Sequence, residues 1–148
     1  MIWKPNVTVA AVIEQAGKFL LIEEHTSQGP KFNQPAGHLE ANESLLGAVV
    51  RETREESAYA FQPEYLIGIY HWHSTATKTT YLRFAFGGTL GAHYPEQPLD
   101  KGIIRATWMS AEEIRATQTL HRSPLVMCCV EDFLAGNKYP LNILTHYE

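Results

Sequence analysis

The segment from Gly37 to Tyr59 constrains this chain most, because it places acidic residues at helical spacing beside apolar ones. Its sequence is GHLEANESLLGAVVRETREESAY. The spacing predicts an amphipathic helix that begins near Asn42, a good N-cap residue, and ends near Ser57. Glu43 then falls in the first turn, where negative charge suits the helix dipole.

At about 100° per residue, the predicted helix has an apolar face toward the core, a face toward water and an acidic face. The apolar face has Leu46, Val49, Val50 and Thr53, the water face has Gly47, Arg51 and Arg54, and the acidic face has Glu52, Glu55 and Glu56. Carboxylates three and four positions apart on a helix repel one another. A divalent cation with oxygen ligands, such as Mg²⁺, relieves that repulsion.

The loop before the helix favours a metal site over the ordinary alternative. A Glu- and Arg-rich helix is most often a solvated face with ion pairs, here Arg51 with Glu55. The turn-forming segment NQPAGH, residues 33–38, comes directly before this helix. Its Gly37 allows backbone carbonyl groups to approach a bound ion closely.

These residues resemble the Nudix box, in which a Gly, five residues, a Glu and seven residues precede Arg-Glu-aliphatic-any-Glu-Glu-any-Gly-aliphatic. The matching positions hold Gly37, Glu43, Arg51, Glu52, Thr53, Glu55, Glu56, Ala58 and Tyr59. The first Gly and all the charged positions agree with the pattern. Thr53 and Tyr59 replace aliphatic residues, and Ala58 replaces the closing Gly that favours a left-handed helix end.

The resemblance covers nearly the whole chain. The segment WMSAEEI, residues 108–114, is similar to a Trp-x-x-x-Glu-Glu pattern found late in Nudix domains, and NQPAGHLEA, LRFAF and RSPLV resemble the NudJ-type phosphatase branch. The implied fold is α+β, the Nudix α/β/α sandwich with a mixed β-sheet flanked by helices, in a single domain over residues 1–148. The implied activity is Mg²⁺-dependent hydrolysis of phosphoanhydride bonds in nucleoside tri- and diphosphates and in the pyrophosphate of the thiamin-precursor pyrimidine, with release of phosphate.

The resemblance also implies roles for the box residues. The implied ligands of Mg²⁺, or of Mn²⁺, are Glu52, Glu55, Glu56 and the Gly37 carbonyl, and the implied catalytic residues are Glu52, Arg51 and Glu55. Glu52 would orient or deprotonate the attacking water. Arg51 would hold the Glu cluster in place, and Glu43 would pair with Arg51 or bind through water.

In many family members a base comes from a loop outside the box. The loop-like segment 91–102 holds two acids, Glu96 and Asp100, and both are candidates for that base. The alternative for each is a solvated loop acid.

Substrate-binding candidates come from the strands and from the NQPAGH segment. Phe32, Trp72, Tyr81 and Phe84 are candidates to stack on a base, with core packing as the alternative. Arg83 either clamps a phosphate with its planar guanidinium or faces solvent from an open sheet. Gln34 is a further substrate-binding candidate, and Arg122 with Ser123 would meet phosphate at a helix start.

The rest of the chain predicts a mixed sheet with helices packed on it. Strands are expected at residues 6–14, 19–24, 65–73, 79–90 and 103–109, with a hairpin turn at 15–18. Ser110 and Glu113 form a capping-box pattern, and a C-terminal helix is expected from Ser123-Pro124 to about Ala135, with Gly136 as its stop.

Composition narrows the partners and the compartment. The net charge of −4 argues against a protein that binds a nucleic-acid backbone, but Mg²⁺ would allow a polyphosphate substrate. The partner that the resemblance implies is a small-molecule nucleotide or pyrimidine pyrophosphate. Cys128 and Cys129 are adjacent, so two buried thiols are expected. With no signal peptide and no long apolar run, we expect a cytoplasmic protein without membrane association, as a monomer or homodimer.

Two other functions remain open at this stage. One is a pyrophosphatase of another Nudix branch, acting on oxidised nucleotides or on nucleoside-diphosphate sugars. The other is a non-catalytic Nudix-like domain that binds nucleotides for regulation. Because such binders usually lose acids of the box and this chain keeps all four, the sequence favours an enzyme.

Overall fold

The computed structural model describes residues 1–148, which form nine β-strands, three α-helices and two short 3₁₀ helices. The strands are β1 (Asn6–Ala11), β2 (Glu14–Gln15), β3 (Lys18–Glu24), β4 (Lys31–Asn33), β5 (Ala36–His38), β6 (Tyr59–Ser74), β7 (Thr79–His93), β8 (Ile103–Ser110) and β9 (Tyr139–Pro140). The α-helices are α1 (Leu45–Ser57), α2 (Ala111–Ala116) and α3 (Leu125–Leu134), and the 3₁₀ helices are Gln118–Leu120 and Leu141–Ile143. None of these helices is both long and apolar enough to cross a membrane.

The strands form two sheets. The five-stranded sheet has the order β5-β1-β7-β6-β9 and is mixed, because β1 and β7 are parallel and every other pair is antiparallel. In the four-stranded sheet, β3 pairs antiparallel with β2, β4 and β8. The mixed sheet confirms the prediction from the sequence.

Strand β3 buries side chains on both of its faces, because successive side chains of a strand point to opposite sides. Leu20 of β3 packs with Val49 of α1 in one core cluster. Its neighbours Phe19 and Leu21 pack with Val126 of α3 in the other cluster. Helices therefore cover both sides of the strands, and the predicted α/β/α sandwich is confirmed.

Several local predictions hold. Ala16 and Gly17, at the centre of the predicted hairpin turn, both have positive φ, as a type I′ hairpin turn requires. The Ser110–Glu113 capping box is present at the start of α2. Helix α3 ends at Leu134, and Gly136 follows with a φ of 81°.

Several strand boundaries differ from the sequence prediction. Strand β1 ends at Ala11, and the two short strands β4 and β5 are absent from the sequence prediction, which has a turn-forming segment at residues 33–38. Strands β6 and β7 are longer than predicted, because pairing continues through Pro63 with register shifts. Pro63 lies opposite Gly88, where a Cβ would overlap the Gln62 carbonyl. The pairing of β6 with β7 is therefore irregular at this proline and requires a glycine on the facing strand.

Helix α1 begins later than predicted. Its N-cap is Ser44, whose hydroxyl accepts a hydrogen bond from the Gly47 N–H at 3.0 Å. Asn42 has a φ of 63° and lies outside the helix, so the prediction of Asn42 as the N-cap is wrong. Glu43 consequently precedes the first turn. The C-terminal end agrees with the prediction, because Ala58 has the left-handed conformation that the Gly of the box would favour.

The buried face of α1 is also rotated from the prediction. Leu46 and Val50 are exposed, whereas Ala48, Val49 and Thr53 are buried. The acidic positions Glu52 and Glu56 are buried as well, so the helix buries carboxyl groups together with its apolar residues. The two thiols differ too, since Cys129 is buried but Cys128 is exposed.

Candidate active site

Two of the helix carboxylates, Glu52 and Glu56, line a cleft of about 1000 Å³. Glu24 at the end of β3 and Gly37 of β5 line it with them. Other walls come from β6, β7 and the segment that leads into α3. Because α1 packs against β1, β5 and β6, burial of its apolar face brings its carboxylates to this cleft.

Glu52 is held between Arg51 and the backbone of Gly37. Its Oε1 accepts a hydrogen bond from Arg51 Nη1 at 2.7 Å. A Cβ on Gly37 would overlap the Glu52 carboxylate, so only a glycine leaves room for it. Burial raises the pKa of Glu52, Arg51 opposes that rise, and the charges of Glu55 and Asp100 add to it.

Glu56 is as buried as Glu52, each residue being 8% exposed. Burial raises its pKa to about 9, although the Ala36 N–H, which donates to Glu56 Oε1 at 2.9 Å, favours the charged form. The neighbouring charges of Glu52, Glu24 and Asp100 raise the pKa further. Without a cation, Glu56 is therefore protonated at neutral pH, and a bound cation would favour its ionised form.

Arg51 connects four polar groups around the carboxylate cluster. Its Nε and Nη2 donate to Glu43 at 2.6 and 3.0 Å, and its Nη1 donates to Glu55 at 2.9 Å as well as to Glu52. Nη2 also donates to the His38 carbonyl at 3.1 Å. Hydrogen bonding to Glu43, and then to Glu52, raises the pKa of Arg51. The predicted pairings of Arg51 with Glu43 and with Glu55 are both present.

The arrangement fits a hard cation held by few protein ligands. Nowhere in the chain do three or more His, Cys, Asp or Glu side chains come close enough together to hold a metal ion by themselves. The expected trio is not assembled, because Glu55 accepts from Arg51 and does not line the cleft. Mg²⁺ usually takes one or two carboxylates and completes its shell with water and substrate phosphates. Glu52 and Glu56, buried and facing an open cleft, suit that coordination.

Glu24 is a cleft carboxylate that the sequence reasoning missed. Its side chain forms an ion pair with Arg122 across the cleft, with 3.2 Å between Glu24 Oε2 and Arg122 Nη1. The available signal was the acidic pair at the end of an otherwise apolar strand, FLLIEE. Arg122 and Ser123 both line the cleft, as expected of phosphate-binding candidates.

Arg83 lies in the cleft but is only 5% exposed. Its Nη1 donates to Gln34 Oε1 and its Nη2 donates to Asn33 Oδ1, both at 2.9 Å. The alternative that Arg83 faces solvent is therefore wrong. Gln34 is buried and does not line the cleft, so the structure places it behind Arg83 and not against a substrate.

The four aromatic candidates separate into two pairs. Trp72 and Tyr81 line the cleft and stack on each other, with ring centroids 5.5 Å apart and an interplanar angle of 19°. Phe32 is buried in the core cluster beside α3, and Phe84 packs against the cluster beside α1. The prediction of Phe32 as a substrate-binding residue is wrong, because β4 directs its side chain into the core.

Residues 3–127 match the family model of the NUDIX domain. This chain belongs to the Nudix family. It is 43% identical over 142 residues to phosphatase NudJ of Escherichia coli K12 and to phosphatase NudJ of Shigella flexneri, with 96% of this chain and 92% of each relative covered. The resemblance to NudJ is thus confirmed over nearly the whole chain.

Solved structures agree with this Nudix assignment. A NUDIX hydrolase from Nitrosomonas europaea is 56% identical and superposes with a TM-score of 0.95, over 97% of this chain and 98% of that one. A MutT NUDIX hydrolase from Burkholderia pseudomallei has a TM-score of 0.75 at 18% identity, over 88% and 98% of the two chains, and so shares the fold. The protein is therefore a Nudix hydrolase of the phosphatase and pyrophosphatase kind, a class that generally uses divalent metals.

The two loop acids of this Nudix hydrolase lie in different surroundings. The Asp100 N–H donates to the Glu55 carbonyl at 2.9 Å, which ties the loop to the end of α1. The Asp100 charge raises the pKa of both Glu52 and Glu56. Both acids are exposed and neither lines the cleft, but Glu96 has no part in those shifts. Asp100 is therefore the acid of this loop that lies toward the carboxylate cluster.

Proposed function

We propose that this Nudix hydrolase uses Mg²⁺ to hydrolyse the terminal phosphoanhydride bond of nucleoside tri- and diphosphates and of small pyrimidine pyrophosphates such as the thiamin precursor, releasing orthophosphate. Residues 1–148 act as one catalytic unit in this proposal. The observation that carries it is that buried Glu52 and Glu56 line the same cleft as Arg83, whose positive charge has no carboxylate partner. The similarity to phosphatase NudJ supports the same reaction.

Glu52, Glu56 and the Gly37 carbonyl are the proposed metal ligands. When bound, Mg²⁺ would neutralise phosphate charge and lower the pKa of the attacking water. The same oxygen ligands also suit Mn²⁺. Glu55 does not line the cleft, so its proposed role, with Arg51, is to hold Glu52 in place.

Glu52 is the proposed group that orients and deprotonates the attacking water. Its carboxylate has one oxygen anchored by Arg51 and lies at the cleft wall beside Gly37. Asp100 is the proposed second acid, since its charge acts on both metal-binding carboxylates. These carboxylates would contribute to catalysis by positioning the attacking water, because phosphoryl transfer depends mainly on alignment and charge stabilisation.

Arg83 and the Trp72–Tyr81 pair are the proposed substrate contacts. Arg83 would bind a phosphate with its planar guanidinium, because it lines the cleft without a carboxylate partner. The aromatic pair would stack on a base, and stacking of this kind accepts several different bases. Most of the binding energy would then come from the phosphates, so a small pyrimidine would suffice as the leaving part.

Phosphorus NMR of the products tests this proposal. The enzyme with Mg²⁺ should release orthophosphate from CTP, from CDP and from the pyrimidine pyrophosphate, with little action on ADP-ribose. Glu52→Gln is the matched control, and it should abolish all three reactions while the fold is retained. If CTP yields pyrophosphate and CMP while CDP stays intact, attack is internal and the proposal is wrong.

A further inference from the structure

The positive charge of Arg83 is buried without an acidic partner. The other arginines of this region have one, since Arg51 pairs with Glu43 and Arg122 pairs with Glu24. Arg83 forms no ion pair, and its polar contacts are two amide oxygens and the Cys129 thiol, 3.7 Å from Nη1. A buried charge of this kind is costly unless neutral groups or a ligand compensate it.

The two amides that hold Arg83 are themselves fixed. Gln34 is 1% exposed, and its Nε2 donates to the Val126 carbonyl in the first turn of α3 at 2.8 Å. Its oxygen must therefore face Arg83 Nη1. Asn33 is half-buried at the end of β4 and holds Nη2 from the cleft side. The guanidinium thus has one orientation, set by two adjacent residues of the NQPAGH segment.

The position of Arg83 suits a phosphate that is also bound at the metal site. Arg83 pairs with Thr8 of β1, and Thr8 pairs with His38 of β5, the residue after Gly37. The backbone of Arg83 and that of the β5 metal-site segment are therefore about two strand spacings apart, roughly 10 Å. The Arg83 side chain covers part of this distance, and a short polyphosphate bound at the metal site covers the rest. Tyr81, two residues before Arg83, lies on the same strand face.

We propose that Asn33 and Gln34 are positioning residues that hold the Arg83 guanidinium in a charge-neutral cradle, leaving its positive charge for a phosphate of the substrate. This inference rests on the proposed function, in which Arg83 meets a phosphate. A carboxylate at either position would hold the guanidinium at least as firmly but would cancel its charge. The amide oxygens therefore matter because they accept hydrogen bonds from Arg83 without neutralising its positive charge.

Replacing Asn33 by Asp tests the cradle, because it adds charge without removing the hydrogen-bond acceptor. The probe is methylenediphosphonate, a non-hydrolysable diphosphate, titrated calorimetrically with Mg²⁺ present. Asn33→Asp should weaken its binding roughly 10- to 100-fold, the value of a charge-assisted hydrogen bond. The melting temperature without ligand should be unchanged or higher, since the introduced carboxylate would form an ion pair with Arg83. If Asn33 had a purely structural role, Asn33→Asp would lower the melting temperature and leave the binding of methylenediphosphonate unchanged.

Matched variants separate this effect from general charge repulsion. Gln28→Glu makes the same charge change at an exposed cleft-lining residue whose side chain does not contact Arg83, and it should bind the probe like the wild type. In an Arg83→Met background, Asn33→Asp should cause no more loss than Gln28→Glu does. Folded Gln34→Glu should also weaken probe binding, but its melting temperature should fall, because a carboxylate cannot donate to the Val126 carbonyl as the Gln34 amide does.

The outcomes distinguish this inference from the proposed function. If wild-type enzyme releases no orthophosphate from any nucleotide, the proposed function fails, but the probe still measures the cradle. If the wild type is active and folded Asn33→Asp binds the probe with unchanged affinity, the cradle is overturned while the proposed function stands. Equal losses in Asn33→Asp and Gln28→Glu would also overturn it.

Discussion

The carboxylate of Glu52 occupies the space in which a side chain on Gly37 would begin. Gly37 does not have a positive φ, so glycine is needed here for room and not for an unusual backbone conformation. The close approach of β5 to α1 places the Glu52 carboxylate against the backbone that precedes the helix. The first Gly of the Nudix box and its central Glu are therefore in direct contact.

Gly37→Ala should reduce turnover by about 100-fold or more, because it displaces the Glu52 carboxylate from its position. The melting temperature should fall little, since the group that must move is the end of a flexible side chain. Steady-state kinetics and thermal melts, with and without Mg²⁺, measure the two effects. Near-normal turnover in a folded variant would contradict the proposed role of Glu52.

Glu56 should make the metal-free protein less stable as the pH rises. Its pKa in the folded protein is about 9, above the ordinary 4.5, so its contribution to stability is complete below pH 4.5 and is lost as the pH rises toward 9. The slope reaches at most about 1.4 kcal/mol per pH unit for one proton. Denaturant unfolding in EDTA between about pH 5 and pH 9 measures it.

Glu56→Gln should flatten that pH dependence, because Gln resembles the protonated carboxyl group. Glu112→Gln, at an exposed position of α2, makes the same charge change and should retain the wild-type slope. Mg²⁺ should stabilise the wild type more at about pH 8 than at about pH 6, since the metal binds the ionised carboxylate. A wild-type slope in Glu56→Gln would exclude this carboxyl group as the cause.

Ala58→Gly should stabilise the protein by about 0.5–1 kcal/mol. Ala58 has a φ of 61°, which costs an alanine more than a glycine, although glycine gains freedom in the unfolded chain and the buried methyl group is lost. Ala60→Gly, two residues later in β6 and without a positive φ, should destabilise instead. The denaturant midpoints of the two variants should move in opposite directions.

Trp72→Leu should raise KM for nucleotides by roughly 5- to 100-fold, the value of one aromatic stacking contact. The change removes the stacking partner of Tyr81 in the cleft but leaves the phosphate-binding groups. Inorganic tripolyphosphate serves as the internal control, because it has no base to stack. An equal rise in KM for tripolyphosphate would show that Trp72 shapes the phosphate site instead.

Asp100→Asn should lower kcat, whereas Glu96→Gln should leave it unchanged. Both acids lie in the loop after β7, but only Asp100 acts on the pKa values of Glu52 and Glu56. We expect a loss of about 100-fold for Asp100→Asn, together with a shifted pH–rate profile, at the lower end of what general acid–base catalysis contributes. If Glu96→Gln is the impaired variant, the assignment of Asp100 as the second acid is wrong.

The features predicted correctly from the sequence depend on short-range geometry. Arg51 and Glu55 pair because residues four apart on a helix are neighbours, and the same rule puts Glu52 with Glu56. The hairpin turn, the capping box and the left-handed end of α1 likewise involve residues only a few positions apart. Even there, the N-cap prediction of Asn42 was wrong, because Ser44 is an equally good cap and two residues nearer the apolar face.

The substrate side of the cleft required the tertiary structure. Strand alternation assigns Phe32, Arg83 and Tyr81 to one of two faces, but the sequence does not say which face a helix covers. Packing of α3 puts Phe32 in the core and closes over Gln34. The same packing buries Arg83 against amides brought from 50 residues away, a contact that no local pattern encodes.

The sequence by itself determined the family, the mixed sheet with helices on both sides, and the acidic helix that faces the cleft. It did so because the box specifies residue types at spacings that one helix and its preceding turn bring together. Only the tertiary structure decided that Glu24 joins the cleft, that Glu55 does not line it, and that Arg83 lies buried in a neutral cradle. Those outcomes depend on sheet register and on helix packing, and both are set by contacts between distant parts of the chain.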